Sequence, residues 1–198
     1  MAAYGGYAAH RVVSTCPICG TEVREPAENI ALQISPEKGE FWPDALECAG
    51  GFMGLYVASH VKETLDNAAI KYGRGFRAVL ARPYLKKLQR SVPPSYFYLP
   101  AVLGAKLDFA ASGYRIASTC SRCGRIRTDA ASEPSKYKLI EETWNGSDIF
   151  YTDLSPVALF CSDRVLTLAR ENRWTNFRFV PPEQAHNYAY SGINYLAK

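Results

Sequence analysis

Cys16-Pro17-Ile18-Cys19-Gly20 and Cys120-Ser121-Arg122-Cys123-Gly124 are one five-residue phrase written twice, with first cysteines 120 − 16 = 104 residues apart. Sulfurs at i and i+3 reach one ion from a single tight turn, and zinc takes four such ligands at roughly 2.3 Å in a closed structural site. Each phrase is therefore half a site. The glycine after each second cysteine can take the positive φ that ends such a turn, and Pro17 presets its own φ. Cys-x-x-Cys also marks thiol oxidoreductases, whose reactive cysteine sits at a helix N-terminus. Here Thr21-Glu22-Val23-Arg24 and Arg125-Ile126-Arg127-Thr128 follow, both alternating and β-like with no helix start, which argues against redox chemistry. The expected ligands are Cys16, Cys19, Cys120 and Cys123, holding one structural zinc per chain. Four thiolates alone do not separate zinc from a rubredoxin-like iron.

The offset of 104 continues beyond the cysteines. Asp44 matches Asp148, Leu55 matches Leu159 and Val61 matches Val165. Each half then reads in the same order: knuckle, β segment, apolar strand, helix, and a strand opening on Phe76-Arg77 or Phe177-Arg178. The expected fold class is α+β, with two pseudo-repeated β-rich lobes, one main helix in each, joined by the shared four-cysteine zinc site. The chain is expected to form one domain over residues 1–198. The lobes cover about 12–80 and 116–181, with a linking segment over 81–115 and a Tyr-rich tail over 182–198.

Strands are expected near Ala9 to Ser14, Glu28 to Ile34, Leu55 to Ala58, Tyr137 to Glu142, Ala158 to Cys161 and Phe177 to Val180. One helix is expected over Ser59 to Ile70, capped by Ser59, with Val61, Leu65, Ala68 and Ala69 inward. A second is expected over Asp163 to Arg173, capped by Ser162 or Asp163, with Val165, Leu168 and Ala169 inward. Pro83 to Arg90 predicts a short helix ended by Val92-Pro93-Pro94, and Pro93 to Gly104 reads as an irregular loop.

With 198 residues and 22.0 kDa the chain can build a substantial core without disulfides. The first fifteen residues show neither a basic n-region nor an apolar h-region, and no window approaches the roughly 18 apolar residues of a membrane span. The expected address is the cytoplasm, where reduced thiols agree with metal ligation. Cys48 and Cys161 lie in apolar stretches and read as small buried hydrophobes.

The net charge of +4 hides an uneven distribution. From Lys71 to Arg127 twelve basic residues face one acid, Asp108, giving +11, and the remainder carries −7. Aromatics are interleaved in that middle stretch, a pattern that suits phosphates and bases and equally suits an acidic protein partner. Catalytic patterns are absent from the sequence: His10, His60 and His186 fit no ligand spacing, and no serine sits in a GxSxG elbow. Gly50-Gly51 and Gly73-Arg74-Gly75 lack the setting of a phosphate loop and read as turns, and Glu141-Glu142 reads as a solvated strand end.

Taken together, the two knuckles, the run Asp148-Ile149-Phe150-Tyr151-Thr152-Asp153-Leu154 through Cys161-Ser162-Asp163-Arg164-Val165, and Phe177-Arg178-Phe179-Val180 resemble a known family. It is the double-CXXCG motif immunity proteins of bacterial polymorphic-toxin systems. The resemblance spans about residues 12 to 181; the N-terminal segment and the tail after Pro181 lie outside it. It implies a non-catalytic protein that binds one cognate toxin domain and blocks it by occlusion. On that reading the basic, aromatic middle and the proline loop are the expected partner surface, carried by Arg82, Lys86, Lys87, Arg90, Tyr96, Phe97 and Tyr98. The competing expectation is a zinc-ribbon nucleic-acid-binding protein.

Overall fold

The computed structural model describes residues 4–5, 10–26, 30–35, 42–48, 54–74, 77–83, 92, 94–132, 136–154, 158–181 and 193–196. The fold is α+β, mostly strands with two helices. The first half holds β1 (Tyr4–Gly5), β2 (His10–Thr15), β3 (Glu22–Pro26), β4 (Ile30–Ser35), β5 (Ala45–Cys48), β6 (Gly54–Ala58), α1 (Ser59–Asn67), β7 (Arg77–Pro83) and β8 (Tyr96–Pro100). The second holds β9 (Val102–Leu107), β10 (Ile116–Thr119), β11 (Ile126–Thr128), β12 (Leu139–Ile140), β13 (Ile149–Thr152), β14 (Leu159–Ser162), α2 (Asp163–Glu171), β15 (Phe179–Val180) and β16 (Ile193–Leu196). A 3-10 turn, Glu141–Thr143, follows β12 where the sequence suggested a continuing strand, and its two glutamates are exposed.

The first sheet runs β4-β1-β5-β6-β8-β7 and closes into a barrel because β4 and β7 also pair, in parallel, from Ile30 opposite Val79 to Ile34 opposite Pro83. The second runs β12-β9-β13-β14-β16-β15 and stays open. Its end strands, β12 and β15, are two residues each, against six and seven for β4 and β7. The pairings recur at the 104-residue offset. Ala45 faces Val57 and Leu46 faces Tyr56 in β5–β6, while Ile149 faces Cys161 and Phe150 faces Phe160 in β13–β14. One difference stands out: β8 runs antiparallel to β6 and β7, whereas β16 runs parallel to β14 and β15.

Each helix follows its strand directly, so its apolar face lands on the sheet it left. Val61 and Leu65 of α1 are buried, as are Val165, Leu166 and Ala169 of α2. Val61, Leu65, Val165 and Ala169 share one core with Leu55, Val57, Ile70, Leu99, Ile149, Cys161 and Trp174, drawn from both halves. Burying a side chain such as Leu65 or Val165 contributes about 1.5–3 kcal/mol. A second cluster, Ala105, Leu107, Phe109, Tyr137, Phe150, Phe160 and Val180, belongs to the open sheet, with Phe150 and Phe160 stacked at 5.6 Å.

Both helices end sooner than the sequence suggested, and in the same way. Ala69 and Arg173 take left-handed φ values of 51° and 52°. The N–H groups of Ala69 and Ile70 donate to the carbonyls of Asp66 and Leu65, and those of Arg173 and Trp174 to Arg170 and Ala169. This is the Schellman pattern, built here without glycine, and Ile70 and Trp174 supply its buried apolar residue. Ser59 is the first helical residue of α1, not its cap: Ala58 holds the cap position, with no side-chain hydrogen bond. Ser162 does hold the cap position of α2, but its hydroxyl is committed elsewhere, donating to Asp148 at 2.5 Å.

One further expectation is corrected. Pro93 to Gly104 is not an irregular loop, because β8 pairs with β6 along its whole length and β9 begins at Val102. Pro100 is tolerated at the end of β8, where its carbonyl accepts the Gly73 N–H at 2.7 Å. Within the segment 81–115, β8 belongs to the barrel and β9 to the open sheet. The tail over 182–198 contributes β16, which lies between β14 and β15. The helix expected over Pro83 to Arg90 falls, beyond Pro83, outside the described residues.

Candidate metal centre

The knuckles sit at the tips of two hairpins that form separate two-stranded sheets, β2–β3 and β10–β11. Thr15 faces Glu22 and Ser14 faces Val23; Thr119 faces Ile126 and Ser118 faces Arg127, each hairpin with a bulge one step further on. Within each turn the glycine N–H donates to the first cysteine's carbonyl at 2.9 Å, Gly20 to Cys16 and Gly124 to Cys120. Gly20 and Gly124 have φ of 69° and 72°, so a side chain there would be strained and the turn would open.

This geometry turns both sulfurs of each phrase toward the other hairpin. The four Sγ atoms of Cys16, Cys19, Cys120 and Cys123 all lie within 4.8 Å of one another. Cys16 and Cys120 are 3.8 Å apart, and Cys19 and Cys123 3.5 Å. Four sulfurs at roughly 2.3 Å from one centre define a tetrahedron with edges of about 3.8 Å, so the residues fit one four-coordinate ion. Such a site has no position left for water, and the chemistry a metal supplies there is a cross-link between hairpins 104 residues apart.

Electrostatics point the same way. The Thr21 hydroxyl, 3.2 Å from Cys19 Sγ, and the Thr21 N–H hold the Cys19 thiol down to about 6. The Arg125 N–H also favours ionised Cys123, but the Cys19 sulfur and burial outweigh it and push Cys123 up to about 11. Thiols this close oppose one another's ionisation, and a cation removes the conflict. Arg127 ties the hairpins further, donating to the Cys19 carbonyl at 3.2 Å.

Of the remaining cysteines, Cys161 is fully buried in the shared core and its thiol is pushed up by burial and then by Asp163 and Asp148. Cys48 lies in β5, where its side chain is outside the described set. His60 is exposed and lies 2.8 Å from Asp44.

Of the expected partner surface, the structure describes the side chains of Tyr96, Phe97 and Tyr98. Tyr96 is 1% exposed and its hydroxyl donates to the Pro43 carbonyl at 2.6 Å; Tyr98 is 4% exposed with its ring 5.0 Å from that of Tyr56. Both are core residues, because β8 turns them into the barrel. Phe97 is half-buried beneath the Lys62 ammonium. Arg82 belongs to β7 with its side chain outside the described set, and Lys86, Lys87 and Arg90 lie outside the described residues. What the sequence reading missed is the apolar exposure of the hairpins. Val12, Val13, Ile18, Val23 and Ile116 are each 46–63% exposed. The usable signal was strand-like alternation next to the knuckles with no partner sheet to cover it.

Comparison with protein families, curated proteins and solved structures found no match to this chain. Among the described residues, no helix is long and apolar enough to cross a membrane.

Proposed function

We propose that this chain is an immunity protein that binds a cognate bacterial toxin domain in the cytoplasm and neutralises it by occlusion, with zinc held in a structural role. The observation that carries the reading is the convergence of two CxxCG knuckles, 104 residues apart, on four sulfurs at tetrahedral spacing. That arrangement fixes a scaffold and offers no reacting position, which suits a binding protein rather than an enzyme. The resemblance of residues 12 to 181 to the double-CXXCG motif immunity proteins supplies the class of partner.

In this reading the halves are two copies of one unit. The shared pairing register, the matched helix ends and the equivalent knuckles support that descent. The ion then joins corresponding points of the two copies. Nucleic-acid binding is the second reading, favoured by Arg115, Arg122, Arg125 and Arg127 on one hairpin.

The decisive experiment is co-expression with the variable C-terminal domain of the toxin encoded beside this chain. Growth should be rescued, and the two proteins should co-purify at equal stoichiometry. A toxin that still kills at matched expression rejects the reading.

A further inference from the structure

The paired hairpins form an arm unlike the rest of the molecule. They join neither large sheet, and every side chain described in β10, and in β2 from Arg11 on, is exposed. The arm carries five of the eight large apolar side chains exposed among the described residues. An isolated two-stranded hairpin is marginal in water, so a clamp joining two of them holds in place a surface that would not persist alone. Concentrated apolar exposure of this kind marks an interaction site.

Charge and shape define what would fit. From Arg115 to Thr128 the chain has four arginines and no acid, while the first hairpin, His10–Pro26, balances Arg11 and Arg24 against Glu22 and Glu25. Four thiolates around a divalent ion leave −2, which those four arginines exceed. Between the hairpins lies an open cavity of about 400 Å³, lined by Ile18, Ser118, Thr119, Arg125 and Arg127 together with Cys19 and Cys120. Neither hairpin carries a Phe, Tyr or Trp, so the arm lacks the large stacking platforms that single-stranded nucleic acids use. Arginine forks can instead receive carboxylates through paired hydrogen bonds, and the exposed aliphatics beside them can pack on apolar groups of the same partner.

We propose that this arm, and not the segment from Arg82 to Tyr98, is the docking surface, and that it receives an acidic protein segment. One or more partner carboxylates sit on Arg125 and Arg127, and a partner apolar side chain packs on Ile18. The inference rests on the toxin-binding reading only for the partner's identity.

Two labelled probes test it by fluorescence anisotropy on the metal-loaded full chain: a peptide alternating Glu with Leu, and single-stranded oligouridylate. The expected result is peptide binding that falls at least about tenfold in Arg125→Glu and in Ile18→Ser, at unchanged metal content. Tighter binding of the oligonucleotide, or peptide affinity unchanged in both variants, overturns the proposal. The same variants are then titrated with the toxin domain. Toxin binding that survives both substitutions overturns the arm and leaves the immunity reading standing. Absence of toxin binding by the wild type, with arm-dependent peptide binding intact, supports the arm and rejects the immunity reading.

Discussion

Asp44 and Asp148 make the same contact in opposite directions across the middle of the molecule. Asp148, in the second half, accepts the Lys71 N–H of the first at 2.8 Å; Asp44, in the first, accepts the Thr175 N–H of the second at 2.6 Å. Each also meets the second residue of the helix in its own half: His60 lies 2.8 Å from Asp44, and Arg164 lies 3.0 Å from Asp148. Asp148 is the more deeply placed, 2% exposed, and takes the Ser162 hydroxyl as well.

Asp148→Ala should therefore destabilise the protein by about 3–5 kcal/mol, since it leaves the partners of a buried, hydrogen-bonded charge unmatched. Asp44→Ala, at a less buried site, should cost less, about 1–3 kcal/mol. Urea unfolding monitored by Trp fluorescence measures both, and equal costs would show that burial does not set the difference.

Cys16→Ser and Cys120→Ser should each drop the metal content from one per chain to near zero. Structural zinc contributes on the order of 10 kcal/mol in small domains, but here the sheets keep a core of their own. Hydrogen exchange should accelerate in β2, β3, β10 and β11 while amides of β6 and β14 remain protected. Global loss of protection would mean that the metal holds the whole fold.

Gly104→Ala places a Cβ against the Phe150 Cβ and ring, where it cannot fit unless the two strands shift apart. Overpacking of this kind costs about 1–3 kcal/mol. Thermal unfolding should show it, and the companion change Phe150→Ala should cost about 3–5 kcal/mol through the cavity it leaves.

High pH should destabilise the fold. Burial, then Asp66, raises the Tyr72 hydroxyl, and burial, then the Asp44 charge, raises that of Tyr96. Both are acids whose folded form holds the proton more tightly. Their contribution is complete below the ordinary tyrosine pKa of about 10 and is lost as pH rises through and beyond it. Tyr96→Phe should flatten that alkaline loss, as read by urea midpoints on either side of the tyrosine range.

Deleting residues 193–196 should destabilise the second half, because β16 bridges β14 and β15. Exchange should rise at Leu159 to Ser162 while β6 and β8 keep their protection.

The parts that were legible in the sequence were local. Sulfur spacing within a five-residue phrase, the inward positions Val61, Leu65, Val165 and Ala169 and the apolar run at Leu159–Ser162 depend on neighbours a few residues away, whereas Ala69, expected inward, is exposed past the end of α1. What escaped was set by pairing at a distance. Tyr96 and Tyr98 sit among prolines and read as a loop surface, yet their fate follows from β6 lying alongside. Ile193–Leu196 shows no period that marks it as central; only β14 and β15, on either side, make it so. Tyr96 and Tyr98 left the expected partner surface for the same reason. Composition said which residues were near in sequence, and strand pairing decided which reached the surface.

The strand order also fixes a schedule for biosynthesis. Every strand of the closed barrel lies within residues 4–100, so that unit is complete in sequence before the second knuckle has been translated. The open sheet has no such independence, because β16 is inserted between strands made earlier. A nascent chain paused after residue 181 would present a finished barrel and both cysteine pairs, beside a sheet still split between β14 and β15. Emergence from the ribosome therefore orders assembly as barrel first, hairpin clamp second and the last sheet third.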